Sequence, residues 1–394
     1  MTSKNVLFVL GTRPEAIKLA PVIKAAAADD RFQHALLFTG QHADMVPPIL
    51  DWFGINADYT LNVMAHKQPL AHLSGKLLYG MHTIMEKVKP DVVVCQGDTT
   101  TTFLAALTAF YGYDYYVRNE TGERRMIEIA HIEAGLRTYN NYAPFPEEAN
   151  RRLVGHLANY HFAPTTTAAE ALNNENISRN VFVTGNTEID ALLQTCQQLD
   201  HTPRPALPGV PEGARYVLIT GHRRESYGTG FDNICRAIKT LAQAHPNTYF
   251  VYPVHLNKHV QGPVKEQLSG LPNVVLTDPA FYPDFIALLR GCHLVLTDSG
   301  GIQESAPSLG KPVLVMREVT ERPDAILAGT AKIVGTEAEK IITETSRLLT
   351  DENAYAAMAN AVNPYGDGQA TQRILNILAG ESAAENTFHL ASAA

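Results

Sequence analysis

The sequence predicts an α/β protein made of two Rossmann-like domains facing a cleft. Three observations carry that prediction. Strand-like and helix-like segments alternate along the whole chain, the pattern of parallel α/β architecture. About a dozen short apolar runs read as strands, too many for one doubly wound sheet of usual size and comfortable for two. Residues 197–213 (QQLDHTPRPALPGVPEG) carry four prolines and little apolar pattern, which places a linker there. The domains are expected at 1–196 and 214–369.

In chain order, strands are expected at 6–10, 35–38, 92–95, 127–132, 161–163 and 181–184. After the linker they follow at 216–220, 250–253, 274–277, 294–296, 313–316 and 332–334. Residues 114–125 (DYYVRNETGERR) interrupt what should be a short connection and read as a surface hairpin turning at 119–122. Residues 363–370 (NPYGDGQA) form a turn-rich break before a last helix over 371–378, and the Ala- and Ser-rich tail from Gly380 is expected to fray.

One stretch combines several of these signals: 294–317, LVLTDSGGIQESAPSLGKPVLVMR. Its apolar start reads as a buried strand that breaks at Asp298-Ser299-Gly300-Gly301. A helix-like segment starts at Ile302 and closes at Gly310 and Lys311-Pro312. A strand, a small-residue turn and a helix N-terminus make an anion site, because first-turn N–H groups lack intrahelical partners and carry the positive end of the dipole. Gly300 and Gly301 would let a phosphate reach the backbone, and Ser299 adds a hydroxyl. An ordinary βαβ turn with a helix cap accounts for the same residues.

Composition narrows the classes. The chain has 394 residues, 45% hydrophobic and 18% charged, ordinary for a globular protein. A formal charge of −8 argues against a general nucleic-acid binder, which needs a basic footprint. Cys95, Cys196, Cys235 and Cys292 lie far apart without a C-x-x-C pair, so buried thiols in a reducing compartment are expected. No charged-then-apolar leader and no long apolar span is visible, so a cytoplasmic protein with no membrane partner is expected.

In open α/β sheets, ligands bind beyond the carboxyl ends of the strands. There the first half places Gly11-Thr12-Arg13-Pro14-Glu15 with Lys18, Thr39-Gly40-Gln41-His42, Gly97-Asp98 with Thr99–Thr102, and Glu133-Ala134-Gly135-Leu136-Arg137. The second half places Gly221-His222-Arg223-Arg224, His255 and Ser299-Gly300-Gly301. Singly, each has a structural explanation: Arg13 paired with Glu15, Asp98 capping a helix, His222 a core histidine. Together on one edge, they define a site. Glu147-Glu148 after Pro146 sits in a first helical turn, where acidic residues suit the dipole. If that helix points into the cleft, Glu147 joins Asp98 and Glu133 as a third carboxylate.

GTRPEAIK (11–18), GDTTTT (97–102), EAGLRT (133–138), PEEANRR (146–152), TGHRRES (220–226), TERP (320–323), NPYGDGQA and the 297–317 stretch make the chain resemble the bacterial non-hydrolysing UDP-N-acetylglucosamine 2-epimerases, from about residue 5 to 378. The resemblance implies a GT-B arrangement, a homodimer, and interconversion of UDP-GlcNAc and UDP-ManNAc that supplies ManNAc for cell-surface polysaccharide. It implies that the last helix, within 370–394, crosses back onto the N-terminal domain. It implies no metal and no other cofactor. Position by position, Arg13, Lys18, Asp98, Glu133 and His222 match substrate-site residues, and Glu147 matches a third catalytic carboxylate beside Asp98, Glu133 and His222. Ser299, Gly300 and Gly301 match a diphosphate loop, Glu304 a ribose contact, Arg322 a nucleotide contact and Phe285 the uridine end.

The chain departs from the family at Ala280, where a polar residue can stand, and at the 114–125 insertion. It departs again at the accessory site through which many members bind a second UDP-GlcNAc. Gln41, His42 and Gln68 remain, but Asp44 follows in the turn and Lys67 replaces an Arg whose fork a lysine cannot reproduce. Two other readings share the fold: a GT-B glycosyltransferase, which needs an acceptor, and a non-catalytic UDP-sugar sensor. Retention of all three carboxylates with His222 argues against the sensor.

Overall fold

The computed structural model describes residues 3–65, 68–115, 126–202 and 207–389. These divide into two compact units, Met1–Ala191 with Gly366–His389, and Leu192–Tyr365. The passage between them lies inside the helix Thr187–His201, so the stretch expected as a linker from 197 begins as ordered helix. The four prolines all follow that helix, which is where the pattern breaks.

The first unit holds β1 (Lys4–Leu10), β2 (Phe32–Phe38), β3 (Tyr59–Thr60), β4 (Val92–Gln96), β5 (Glu128–Ile132), β6 (Tyr160–Ala163) and β7 (Val181–Val183). They form one seven-stranded sheet in the order β3-β2-β1-β4-β5-β6-β7, every pairing parallel. The second unit holds β8 (Tyr216–Thr220), β9 (Tyr249–Pro253), β10 (Val274–Thr277), β11 (Leu294–Thr297), β12 (Val313–Val315) and β13 (Ala331–Ile333). Its six strands run parallel in the order β10-β9-β8-β11-β12-β13. Both are doubly wound, Rossmann-like sheets, and each reverses its strand order once: between β1 and β4, and between β8 and β11.

Parallel strands covered on both faces need nearly continuous apolar runs, and these have them. Leu7, Val9, Leu37, Val93, Cys95 and Ile129 pack with the helices Leu70–Val88 and Thr100–Tyr115 in the first unit. Val217, Ile219, Phe250, Leu294 and Leu296 pack with Phe231, Ile234, Ile238 and Leu241 of the helix Thr229–Ala244 in the second. All four cysteines are buried and reduced.

The strand missed by the sequence is β3, two residues of half-polar edge with no apolar run to signal it. Two other expectations are corrected. The helix after β11 starts at Gly300, not Ile302, and gives way at Ala306 to a 3-10 turn. Pro307 has no N–H to continue an α-helical ladder there, and Gly310 closes the turn at φ 64°. The tail does not fray at Gly380. Phe388 is buried, its N–H donates to Val183 O at 2.7 Å, and the Arg373 guanidinium lies 5.5 Å from its ring centre. That docking follows the helix Ala370–Leu378, which belongs to the first unit. The expected hairpin falls largely on 116–125, outside the described residues.

Candidate active site

Each unit carries polar residues at the point where its strand order reverses. In the first unit these sit at the ends of β1, β4 and β5. Gln96 and Ile132 are register partners, so the residues that follow β4 and β5 emerge side by side. Glu133 comes directly after β5 with φ 64°, a left-handed conformation uncommon for a residue with a Cβ and costing on the order of 1–3 kcal/mol. What holds it there is specific. Lys18 Nζ donates to Glu133 Oε1 at 2.7 Å, and Gln96 Nε2 donates to Oε2. Lys18 and Glu133 are both buried. Lys18, matched above to a substrate contact, thus holds a carboxylate here.

Beneath this grip, His131 Nε2 donates to Gly97 O at 2.7 Å, and burial pushes the His131 pKa down to about 4, so the ring is neutral at pH 7. Gly97 itself has φ 75°, and a Cβ there would stand 3.6 Å from Glu133 Oε2.

Asp98 is held from one helix, Glu147–Leu157. Asn150 Nδ2 donates to Asp98 O at 2.8 Å, and Arg151 reaches Asp98 Oδ2 from Nε at 2.9 Å and from Nη2 at 2.7 Å. Of the two neighbouring glutamates, Glu148 is the structural one. It is fully buried, accepts from Thr138 N at 2.9 Å, Tyr139 N at 3.0 Å and Arg151 Nη1 at 3.1 Å, and pins the preceding loop. Glu147 opens the helix, and its Oε2 is buried without a hydrogen-bond partner among the described residues. A buried carboxylate oxygen left unsatisfied calls for a functional explanation.

A pairing of Arg13 with Glu15 was the structural alternative for Arg13, and the structure turns Glu15 inward instead. It accepts from Gly11 N at 2.9 Å, Thr12 N at 2.6 Å, Thr99 Oγ at 2.6 Å and Thr102 Oγ at 2.8 Å, tying the β1 turn to the β4 turn. Burial raises its pKa, with those donors working against the rise. Arg13 is left exposed on the first helical turn, Arg13–Ala27.

Near Arg13, His42 Nδ1 accepts from Arg13 N at 3.4 Å, and burial, helped by the Arg13 charge, lowers the His42 pKa. Gln41 Oε1 accepts from Thr101 Oγ at 2.8 Å. Gln68 Oε1 accepts from Lys76 Nζ at 3.3 Å, and Lys67 lies outside the described residues.

The second unit repeats the design. Asp298, just past β11, accepts from the His222 N–H at 2.6 Å and the Arg223 N–H at 2.8 Å, both just past β8. His222 Nδ1 lies 3.4 Å from Asp298 Oδ1, and its ring stacks on His255 at 5.3 Å. Ser299 is the N-cap of the helix Gly300–Ser305, and its N–H donates to Thr297 Oγ at 3.0 Å.

The two glycines differ. A Cβ on Gly300 would stand 3.4 Å from Arg322 Nη2, so Arg322 lies against this turn. A Cβ on Gly301 would meet nothing within 4 Å, which leaves the turn open on that side. Arg322 Nε also donates to the buried Glu304. His222, Ser299, Gly300, Gly301, Glu304 and Arg322 are thereby linked in one unit. Phe285 stands half-buried on another helix, Tyr282–Gly291, after the edge strand β10.

Sequence reading missed Gln96, Glu148, Arg151 and Asp298 as supports. A signal existed for one pair: Glu148 and Arg151 are three apart, on one helix face. Among the described residues no cluster of three or more His, Cys, Asp or Glu could hold a metal ion, and no helix is long and apolar enough to cross a membrane.

Two doubly wound parallel sheets, one with carboxylates and the other with a cation-flanked glycine turn just past its strand ends, define an α/β protein of the two-Rossmann-domain class. The sequence profile of UDP-N-acetylglucosamine 2-epimerase matches residues 24–379. The Escherichia coli K12 UDP-N-acetylglucosamine 2-epimerase is 48% identical over 381 residues, covering 95% of this chain and 98% of that one. The Campylobacter jejuni enzyme of that name is 45% identical over 385 residues, 95% and 97% of the two chains. The crystal structure of the Neisseria meningitidis enzyme bound to UDP-GlcNAc superposes with a TM-score of 0.86 at 45% identity, covering 96% of this chain and 100% of that one. The chain belongs to the UDP-N-acetylglucosamine 2-epimerase family.

Proposed function

We propose that this chain interconverts UDP-GlcNAc and UDP-ManNAc by inverting C2 of the sugar, as a cytoplasmic homodimer that supplies ManNAc for cell-surface polysaccharide. The observation that carries the chemistry is the buried Lys18–Glu133–Gln96 grip, which fixes a carboxylate in a strained backbone conformation beside Asp98. Strain of that kind persists where function uses it.

The C2 proton is not acidified by a neighbouring carbonyl. Breaking the C1–O bond solves this. A carboxylate takes the C2 proton, the C1–O electron pair leaves with UDP, and a C1=C2 double bond forms, giving 2-acetamidoglucal. UDP then returns to C1 while a proton is delivered to the opposite face of C2. Ser299 and the N–H groups of Gly300 and Gly301, with Arg13, His222 and Arg322, stabilise the leaving diphosphate. Asp98, Glu133 and Glu147 share the base and acid roles, and Lys18 orients Glu133. Glu304 and Phe285 serve the nucleoside end.

The test is turnover of UDP-GlcNAc in D2O with no acceptor present. Product and recovered substrate should both carry deuterium at C2 alone. Epimer formed without C2 exchange would overturn the elimination scheme, and no turnover without an acceptor would favour a glycosyltransferase. The glycotransferase of kitacinnamycin shares only the fold, at 13% identity and a TM-score of 0.59.

A further inference from the structure

We infer that Arg151 is a positioning residue for Asp98, and that Glu148 couples this pair to the loop before the Glu147–Leu157 helix. The inference rests on the epimerase reading of Asp98. Arg151 is buried, and its guanidinium is shared between two carboxylates: Nε and Nη2 take Asp98 Oδ2, Nη1 takes Glu148 Oε2. Both contacts to Asp98 fall on Oδ2, and among the described residues Oδ1 accepts no hydrogen bond. A guanidinium edge converging on one oxygen fixes where that oxygen lies and leaves the other oxygen to act.

The backbone is held too, by Asn150 on Asp98 O. A single helical turn therefore sets both ends of Asp98. Glu148 has no exposed surface, and it spends its remaining capacity on the N–H groups of Thr138 and Tyr139. Tyr139 has φ 61°, so this loop is kept in an unfavourable conformation by the same carboxylate that braces Arg151. The loop carries the exposed side chains of Tyr139, Tyr142 and Phe145. A shift of the loop is thereby transmitted through Glu148 and Arg151 to Asp98.

The experiment compares Arg151→Ala, Arg151→Lys and Glu148→Gln with the wild type, measuring kcat, KM and UDP affinity. Misplacing a reacting group by about 1 Å costs about 100-fold, so Arg151→Ala should lose ~100-fold in kcat with KM and UDP affinity within ~3-fold. Guanidinium ion at millimolar concentration should restore at least ~10-fold of that loss, and urea should not, because only the cation replaces the fork. Arg151→Lys supplies the charge without the fork and should fall ~10-fold, as should Glu148→Gln, in the range for lost supporting contacts. A kcat for Arg151→Ala within ~3-fold of wild type, or a loss that guanidinium does not restore, overturns the proposal. Should Arg151→Ala fail to fold, Arg151→Lys decides: full activity overturns the proposal, and a ~10-fold fall in kcat at unchanged UDP affinity supports it. No epimerisation by the wild type would overturn the functional reading instead.

Discussion

Two buried histidines under the carboxylate site should make the first unit acid-labile in a calculable way. His131 and His161 are register partners on β5 and β6, both almost without exposed surface. Burial lowers each pKa from 6.5 to about 4, and the Nδ1 of each is buried without a hydrogen-bond partner among the described residues. A depressed pKa means the unfolded chain takes the proton first as pH falls. The stability these residues preserve is therefore complete above about pH 6.5 and is lost as pH falls towards 4.

Between pH 7 and 5 the loss is about 2 kcal/mol per histidine, or at most about 4 for the pair. That is a large share of the roughly 5–15 kcal/mol that keeps a domain folded. The perturbation is His131→Gln with His161→Gln, whose amides can donate the same hydrogen bonds and do not titrate. The assay is urea unfolding at several pH values, followed by the fluorescence of Trp52. This is the single tryptophan, half-buried in the helix Pro47–Phe53 of the first unit, so it reports that unit. Carboxylates titrate in both proteins and cancel in the comparison. The variant should lose about 2–4 kcal/mol less than the wild type between pH 7 and 5. Equal pH dependence in the two proteins would refute the argument.

Other outcomes follow from the same geometry. Glu133→Gln should keep UDP affinity while turnover falls at least ~100-fold, whereas Ser299→Ala should weaken UDP binding by roughly 0.5–1.5 kcal/mol, and calorimetric titration separates them. If both bind UDP equally badly, the division of roles between the units is wrong. Gly135→Ala should destabilise the first unit by about 2–4 kcal/mol in the Trp52 assay, since φ is 93° and a Cβ would stand 2.1 Å from Ala168 O. A neutral effect there would mean the backbone relaxes around Glu133 at little cost.

The strand ends were legible because parallel sheets bury long apolar runs and then stop abruptly at glycine, aspartate or glutamate. Twelve runs were read, and a strand lies on each. β3 escaped because a two-residue edge has no periodicity. The reacting candidates Asp98 and Glu133 could be named from sequence since they come first after a strand. Their supports could not, because Gln96 meets Glu133, and Arg151 meets Asp98, only once strand order and register are known. The choice between Glu147 and Glu148 depended on helix phase. One position along a helix turns a side chain by about 100°, enough to aim Glu148 at Thr138 and Arg151 while Glu147 faces another way.

The docked tail has a practical consequence. The sheet of the first unit ends at β7, and an uncovered edge strand is a template for pairing between molecules. Phe388 gives its N–H to that edge at Val183, and Arg373 lies over its ring. Phe388 therefore acts as a guard against edge-to-edge pairing of one molecule with another, ten residues downstream of Leu378, where the helix Ala370–Leu378 ends. Shortening the protein after residue 379 would leave both sheets and their polar turns in place and would show itself as precipitation at high concentration, ahead of any loss of turnover.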